Sequence, residues 1–588
     1  MATPAPTLTP VPTGLWRFVP ALDALRRYSL ADLRFDFIAG LTVAAVAVPQ
    51  AIAYGLAAGV EPVHGLYAAI VITAVGAVFD SSRQLINGPT NATSIAVLSA
   101  TAAYAAEDKL AAVLLLGLLI GLVQLGITLL KLGDLTRYIS HSVIIGFTAG
   151  AGTLLVLDQT KHLLGLKSMG DPHDYYLSRW LLTMTEGGPV HVATLAMGLG
   201  SIAAVLGLRW LKERLRMPLF PELLVVVVGA AALTAALGLE AEGVKVIGAI
   251  PASLPGFSPP PFDLARAEEL ATSAFAIALL GLLEALAMAK AIAARTGQKL
   301  DLNQQCLSEA LANLAGSFYQ AVPGSGSLTR SAINQQAGAR TQWSGVWSAA
   351  AVALIMLLCA PYARFIPRAA LAGILVVTAW RMVDKHALVY SVRATRFDGV
   401  IIAATAFSAV FISIEFCILI GVVLSFLLAV PRAGRMLLSE FVVGEDGWAR
   451  ERLPGDTPDD EMLIFGLEGE MFFGAGPALE GHLDMIEDRL GPRTRVLIIR
   501  VKRARNPDAV GTHLLDGFVR RVRERGVHVL LCGVRDELHR VFERTGLVAL
   551  IGPDHVFREE PVRQTSTARA VAYGRQLLEA HPAGVECP

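Results

Sequence analysis

Two charged residues lie in apolar sequence where a charge is expensive. Glu284 sits within Phe275-Ala-Ile-Ala-Leu-Leu-Gly-Leu-Leu-Glu-Ala-Leu-Ala-Met288, about 18 Å along a helix that starts at Thr272, and so near a bilayer midplane. An ionised carboxylate there costs at least ~2.5 kcal/mol by insertion scales. The cost disappears when the group is protonated, paired or turned to a watery cavity, which suits a proton-coupling carboxyl. A carboxyl hydrogen-bonded to another helix is the structural alternative. Arg330 follows in Val322-Pro-Gly-Ser-Gly-Ser-Leu-Thr-Arg-Ser-Ala-Ile-Asn-Gln-Gln336. Its guanidinium suits an anion, a pairing with Glu284 when the site is empty, or snorkelling to an interface. Gln50 and Tyr54 lie one turn apart after Pro49. An amide donor and an aromatic edge can replace part of an anion's hydration, or bond helix to helix. Asp158, Lys161 and His162 read as an interfacial cluster closing a helix.

The element carrying Arg330 is unusual. Pro323, Gly324 and Gly326 oppose helix at its start, and a helix over 327–336 is only about 15 Å long, half the ~30 Å apolar layer. Such a half-helix offers free backbone N–H groups and the positive end of its dipole. At membrane depth that backbone is tolerable only where it lines a cavity inside the protein. An anion is the ligand it suits. Gln84-Leu-Ile-Asn-Gly-Pro-Thr-Asn-Ala-Thr-Ser94 repeats the pattern: an extended approach, Gly and Pro, then a hydroxyl-rich helix start at Thr90 and Asn91. Ser327, Leu328 and Thr329 hold the corresponding place in the second copy. Interrupted helices at matching positions of two halves point to a binding site near the bilayer midplane.

Composition agrees with a membrane chain. The 588 residues are 54% hydrophobic and 17% charged, with mean hydropathy +0.54; soluble domains carry about 25% charge. Apolar segments predict helices near 37–59, 66–79, 91–105, 110–130, 142–158, 191–211, 219–239, 272–295, 304–319, 327–336, 342–361, 365–382, 398–412 and 416–430. With about fourteen spans, the third and tenth are seven apart, so the second half is inverted relative to the first. Lys and Arg cluster at Arg209–Arg216, Lys290–Lys299, Arg381–Arg396 and Arg432–Arg435, which places both termini in the cytoplasm and the loops Lys161–Pro189 and Glu240–Leu270 outside. Residues 15–35, with Arg17, Arg26, Arg27 and Arg34, read as a basic amphipathic stretch along the inner membrane surface. Met1–Gly14 lacks a signal-peptide pattern and reads as a disordered lead.

After Val430 the composition changes. Pro431–Pro458 reads as a linker or edge segment, Met462–Leu467, Val496–Val501 and Val527–Cys532 as strands, and Asp508–Arg525 and Glu537–Thr545 as helices. That alternation predicts a small soluble α/β domain, with a loose polar tail past Val562. Zero net charge argues against a nucleic-acid partner. Cys306, Cys359, Cys417, Cys532 and Cys587 show no C-x-x-C spacing, so neither a disulfide framework nor a metal site is expected. No cofactor is implied. No nucleophile–base pair accompanies Glu284, so the chain does not read as an enzyme.

These residues resemble the SulP (sulfate permease) anion transporter family. Ala39–Gly59 is similar to its first helix, Glu61-Pro-Val-His-Gly-Leu-Tyr-Ala-Ala69 through Asp80-Ser-Ser-Arg83 and Asn87-Gly-Pro89 to its signature, with His64 where Tyr or Phe is usual. Leu467-Glu-Gly-Glu-Met-Phe-Phe-Gly474 and Asp508-Ala-Val-Gly-Thr-His-Leu514 resemble the STAS domain. The likeness covers about residues 36–557 in family order. It implies an α-helical polytopic membrane protein of about 14 spans in a UraA-like 7+7 inverted repeat with two half-helices, plus a STAS domain. A core of spans 1–4 and 8–11 would move against a gate of spans 5–7 and 12–14, commonly in a homodimer. It implies an anion site at Gln50, Tyr54, Thr90, Leu328 through its backbone N–H, Thr329 and Arg330, with Glu284 as the coupling carboxyl. Sodium-coupled relatives place oxygen-bearing residues where Met288 and Leu328 stand, which favours protons. Val510 stands where other STAS domains carry a phosphorylatable Ser, leaving assembly or regulation by contact.

The expected organisation is a cytoplasmic N-terminal segment (1–35), a transport domain (36–430), a linker (431–458), a STAS domain (459–560) and a C-terminal tail (561–588). The expected activity is symport of a sulfate-, bicarbonate- or dicarboxylate-class anion with protons by elevator-type alternating access, in a bacterial inner membrane. Thr90, small where animal relatives often carry an aromatic, favours the larger or more hydrated anions. An uncoupled channel or chloride/bicarbonate exchanger is the main rival. A nucleobase transporter can share the fold, and a STAS-based sensor is a weaker reading.

Overall fold

Ser29 opens the first long helix by a reciprocal cap: its hydroxyl accepts from the Asp32 amide, and Asp32 accepts from the Ser29 amide at 3.0 Å. The cap starts that helix at Leu30, after a short helix at Pro20–Leu25, so 30–35 are the first turns of the long helix. The computed structural model describes residues 18–26, 28–133, 140–170, 176–217, 219–444, 448–457, 459–562 and 564–580, without the side chains of 414 and 415. The expected lead Met1–Gly14, together with Arg17, Arg27, Pro458 and Cys587, lies outside them. Two compact units result, Met1–Ser425 and Phe426–Pro588.

In the first unit the order is α1 (Pro20–Leu25), α2 (Leu30–Ala57), α3 (Pro62–Phe79), β1 (Asn87–Gly88), α4 (Asn91–Ala100), α5 (Ala106–Leu129), α6 (His141–Leu164), α7 (Tyr176–Glu186), α8 (Val192–Arg214), α9 (Glu222–Leu237) and α10 (Leu264–Thr296). It continues with α11 (Leu302–Phe318), β2 (Ser325–Gly326), α12 (Leu328–Gln336), α13 (Trp343–Ala363), α14 (Arg368–Met382), α15 (Lys385–Ala394), α16 (Arg396–Phe411) and α17 (Ile414–Ala433), the last of which runs on into the second unit. Every apolar segment named above is a helix. Among the described residues, eight helices are long and apolar enough to cross a membrane by themselves. The others are shorter, and α4 and α12, with ten and nine residues, are half-length. Three further helices, α1, α7 and α15, of six, eleven and ten residues, are too short to stand out as spans by hydropathy.

Small residues let the inner helices approach. Ala39, Val43, Ala44, Ala47 and Ala51 of α2 are buried, and α2 packs on α3 and α13. The outer faces expose Leu199 and Leu206 on α8, Val228 and Leu233 on α9, Leu358 on α13 and Phe407 on α16. Apolar side chains turned outward on apolar helices suit hydrocarbon rather than water.

The second unit is built on a six-stranded sheet of order β4-β3-β5-β6-β7-β8: β3 (Leu437–Val443), β4 (Ala449–Glu451), β5 (Met462–Glu470), β6 (Val496–Arg505), β7 (His528–Val534) and β8 (Val556–Arg558). The four strands β5 to β8 are parallel, and β3 and β4 add antiparallel at one edge. Leu437–Val443 and Ala449–Glu451 are therefore edge strands of this sheet. Strand alternation sends Leu463, Phe465, Leu497, Ile499 and Leu531 to one face, under α18 (Gly476–Arg489), α19 (Ala509–Glu524), α20 (Asp536–Arg544) and α21 (Leu547–Ile551). Met462, Ile464, Val496, Ile498 and Leu530 face the other way, onto α22 (Thr565–Ala580), which buries Ala570 and Val571. The tail expected to be loose is thus an ordered helix over 565–580: its few apolar residues are enough because a sheet covered on both faces needs a second layer.

Candidate anion site

The two interrupted stretches meet. Asn87 pairs with Gly326 and Gly88 with Ser325 in a two-residue antiparallel ladder, so the starts of α4 and α12 are brought together across it. The Ser327 amide donates to the Ile86 carbonyl at 2.9 Å, and the Ile86 amide to the Ser331 hydroxyl at 2.8 Å. Gly324 makes the crossing possible, since a Cβ there would lie 2.5 Å from the Gly88 carbonyl oxygen. Asn313 of α11 clamps it, accepting from the Gly324 amide at 2.9 Å and donating to its carbonyl at 3.1 Å.

Each half-helix is capped by a hydroxyl. Thr90 and Thr93 form a reciprocal cap on α4, and the Ser327 hydroxyl accepts from the Arg330 amide on α12. The earlier amides, of Asn91 and Ala92 and of Leu328 and Thr329, have no acceptor among the described residues. Free first-turn amides of this kind attract anions.

Arg330 is 1% exposed and donates Nη2 to the Pro89 carbonyl at 2.9 Å, while Nε and Nη1 have no acceptor. The sequence left open a pairing with Glu284 and a snorkel to an interface. In the structure Arg330 does neither: it lies buried and is held by the backbone that leads into α4. Gly88, at φ +147, leaves room for it, with the Arg330 Nη2 3.1 Å from where a Cβ would stand. Glu284 accepts instead from Thr90 Oγ1 at 3.1 Å and from the Ser325 hydroxyl. Tyr54 is buried, with Arg330 and Glu284 as its charged neighbours. Gln50, one turn earlier on α2, is buried with its Oε1 lacking a donor, as is the Oδ1 of Asn91. Leu328 and Thr329 turn their side chains to an open surface, so Leu328 can serve an anion only through its amide.

Sequence reasoning missed Ser325, Asn313 and a buried cluster around Asp80. Asn313 has ordinary sequence surroundings, Ser325 passes unnoticed within the Pro-Gly-Ser-Gly stretch, and the roles of both arise from the β1–β2 crossing. Asp158 and Lys161 pair at 2.8 Å, and with His162, Lys109 and Arg368 they line a cavity of about 900 Å³ near the C-terminal end of α4. Among the described residues no cluster of His, Cys, Asp and Glu suits a metal ion.

The chain matches the sulfate permease family over residues 33–405 and the STAS domain over residues 456–562. It is 27% identical to sulfate transporter 4.1, chloroplastic, of Arabidopsis thaliana, over 92% of this chain and 81% of that one. The murine solute carrier 26 family member A9 anion transporter, solved in the inward-facing state, superposes with a TM-score of 0.86 over 96% of this chain and 94% of that one at 19% identity. The transmembrane domain of a cyanobacterium bicarbonate transporter, BicA, superposes with a TM-score of 0.58 over 68% of this chain and 98% of that one at 24% identity. A fold of the UraA-like helical transporter type, two half-helices meeting at a cationic centre and a STAS sheet after the last helix leave one conclusion: the chain belongs to the sulfate permease family of anion transporters.

Proposed function

We propose that the chain is a secondary active transporter that moves a small anion in symport with protons. One observation carries the reading: the Arg330 guanidinium is buried where two half-helices begin, with two of its nitrogens lacking an acceptor. A buried charge without acceptors is costly, and a bound anion would supply both acceptors and countercharge. The anion would lie among Gln50, Tyr54, Thr90, Asn91, Ser327, Thr329 and Arg330, with Leu328 contributing its amide. Its class is sulfate, bicarbonate or dicarboxylate. Sulfate is named for the plant relative and bicarbonate for the cyanobacterial structure, and a threonine at position 90 leaves room for either.

Glu284 is the coupling group in this reading. Thr90 both caps α4 and donates to Glu284, so gain or loss of a proton at Glu284 would be felt at the half-helix that faces the anion. Proton symport would offset an inside-negative potential that opposes anion entry. Movement would be elevator-like, with two inverted halves supplying a core of α2–α5 and α10–α13 and a gate of α6, α8, α9, α14, α16 and α17. The tight pairs α5–α11, α2–α13 and α3–α13 fall within one set, and α6–α16, α6–α14 and α8–α14 within the other, which supports that division. The transport domain would span 36–430 in a bacterial inner membrane with cytoplasmic termini, in a homodimer, the STAS domain of 459–560 serving assembly or regulation.

Uptake of labelled sulfate, bicarbonate, chloride and dicarboxylates into proteoliposomes, under imposed proton or sodium gradients, tests this. Proton-driven uptake of one of these oxyanions is expected, and Glu284→Gln should abolish the drive while binding persists. Uptake driven by sodium alone would overturn the coupling, and passive chloride flux without either would favour the channel or exchanger.

A further inference from the structure

A second buried carboxyl lies beside the first. Glu309 of α11 is fully buried, and neither of its side-chain oxygens has a donor. Its charged neighbours are Asp80, at the end of α3, and Glu284 of α10. The helix packed most closely against α11, α5, brings the neutral Gln124 against Asn313, whose Nδ2 donates to the Gln124 Oε1 at 3.0 Å. The next residue back, Ser308, donates to Asp80 at 2.6 Å.

Asp80 differs sharply in its surroundings. It is equally buried, yet it accepts from Ser308, from Gln305 Nε2 at 2.5 Å and from Asn87 Nδ2 at 3.1 Å. Three donors suit an ionised carboxylate; a buried carboxyl with none suits the neutral, proton-bearing acid. Two nearby carboxyls with opposed environments divide charge and proton between them.

We infer that Glu309 is a second proton-binding site, standing between Glu284 and Asp80 on the route by which the coupling proton leaves the anion site. The inference rests on the proton-coupled reading above. In the step, a movement of α11 against α3 brings Glu309, which has no hydrogen-bond partner at rest, onto Asp80; the O–H bond on Glu309 breaks as one forms on Asp80, and Asp80 gives that proton up when the end of α3 opens to water. The O–H bond on Glu284 then breaks as one re-forms on Glu309. One proton is released, Glu309 and Asp80 return to their starting states, and Glu284 is left as the carboxylate until it takes its next proton with the next anion. Glu309 lies about 10 Å from the start of α11, between the buried end of α3 and the Asn313–Gly324 clamp that leads to Ser325 and Glu284.

The test uses the full chain in proteoliposomes carrying an internal pH dye, with sulfate as the probe anion or, failing uptake, bicarbonate or a dicarboxylate. Glu309→Gln should bind and counterflow the anion within about twofold of the parent, while anion-dependent acidification falls at least about tenfold. Acidification at the parental rate in Glu309→Gln would overturn the inference, and so would equal loss of binding, counterflow and acidification in a folded protein. If Glu309→Gln does not fold, Glu309→Asp decides: a displaced pH profile of uptake supports the inference, and an unchanged one overturns it. Anion transport without acidification in the parent defeats the coupled reading itself and takes this inference with it. Coupling to sodium that is lost in Glu309→Gln would show a cation site instead and likewise overturn it.

Discussion

Arg330 donates to the Pro89 carbonyl at 2.9 Å, tying the second half-helix to the residue that leads into the first. The same guanidinium keeps two free nitrogens. One side chain thus joins the two helix starts and presents charge to whatever lies between them.

Replacing Arg330 by Ala removes both functions. Anion affinity should fall by roughly 1.5–3 kcal/mol, the scale of a hydrogen bond to a charged group, or about 10- to 100-fold in Kd. Arg330→Lys keeps the charge but not the fork, and should fall between. Calorimetric titration with sulfate measures it; unchanged affinity in Arg330→Ala would leave the helix amides as the main attraction.

Gly324 is the tightest point of the crossing. A methyl group at Gly324→Ala meets the Gly88 carbonyl oxygen, and backbone cannot yield as a side chain can. The β1–β2 ladder should open, lowering the thermal midpoint of the membrane protein and abolishing anion uptake while membrane insertion persists. Gly229→Ala on α9, where nothing lies within 4 Å of a Cβ, serves as the control and should behave as the parent does.

Thiol chemistry reports burial in the second unit. The thiolate is the reactive form, and burial pushes the Cys532 thiol up to about 11. At pH 8 it is almost wholly protonated as well as enclosed. Cys359 is exposed, whereas Cys306 and Cys417 are buried. A small maleimide at pH 8 should therefore label Cys532 only after denaturant is added. Mass mapping of labelled peptides checks this, and rapid native labelling at Cys532 would contradict the packing of β7 under α22.

The α22 layer gives a stability prediction. Ala570 is fully buried against a face that includes Met462, Val496 and Leu530. Ala570→Asp places an unpartnered carboxyl there and should cost at least about 2 kcal/mol. Limited proteolysis of the full chain should then cut within 459–560 faster than in the parent, while Arg569→Ala, at an exposed ion pair with Glu560, changes little.

Much of this protein is legible in its residues, because a bilayer imposes length and apolarity on each span. Hydropathy located α2, α3, α5, α6, α8 to α11, α13, α14, α16 and α17, and Pro and Gly marked the two half-helices α4 and α12. Glu284 and Arg330 stood out because a charge in apolar sequence demands a reason. Short apolar runs marked β5, β6 and β7. The rest depended on long-range contacts. Ser325 and Thr90 became partners of Glu284 only when two segments more than two hundred residues apart paired. Arg330 found the Pro89 carbonyl rather than Glu284 for the same reason. Glu309 looked like one polar residue in a mixed helix, and only packing removed its water and every donor. Local sequence sets what a segment can become. Which buried group keeps its proton, and which cation stays free for an anion, is decided by the neighbours that folding brings.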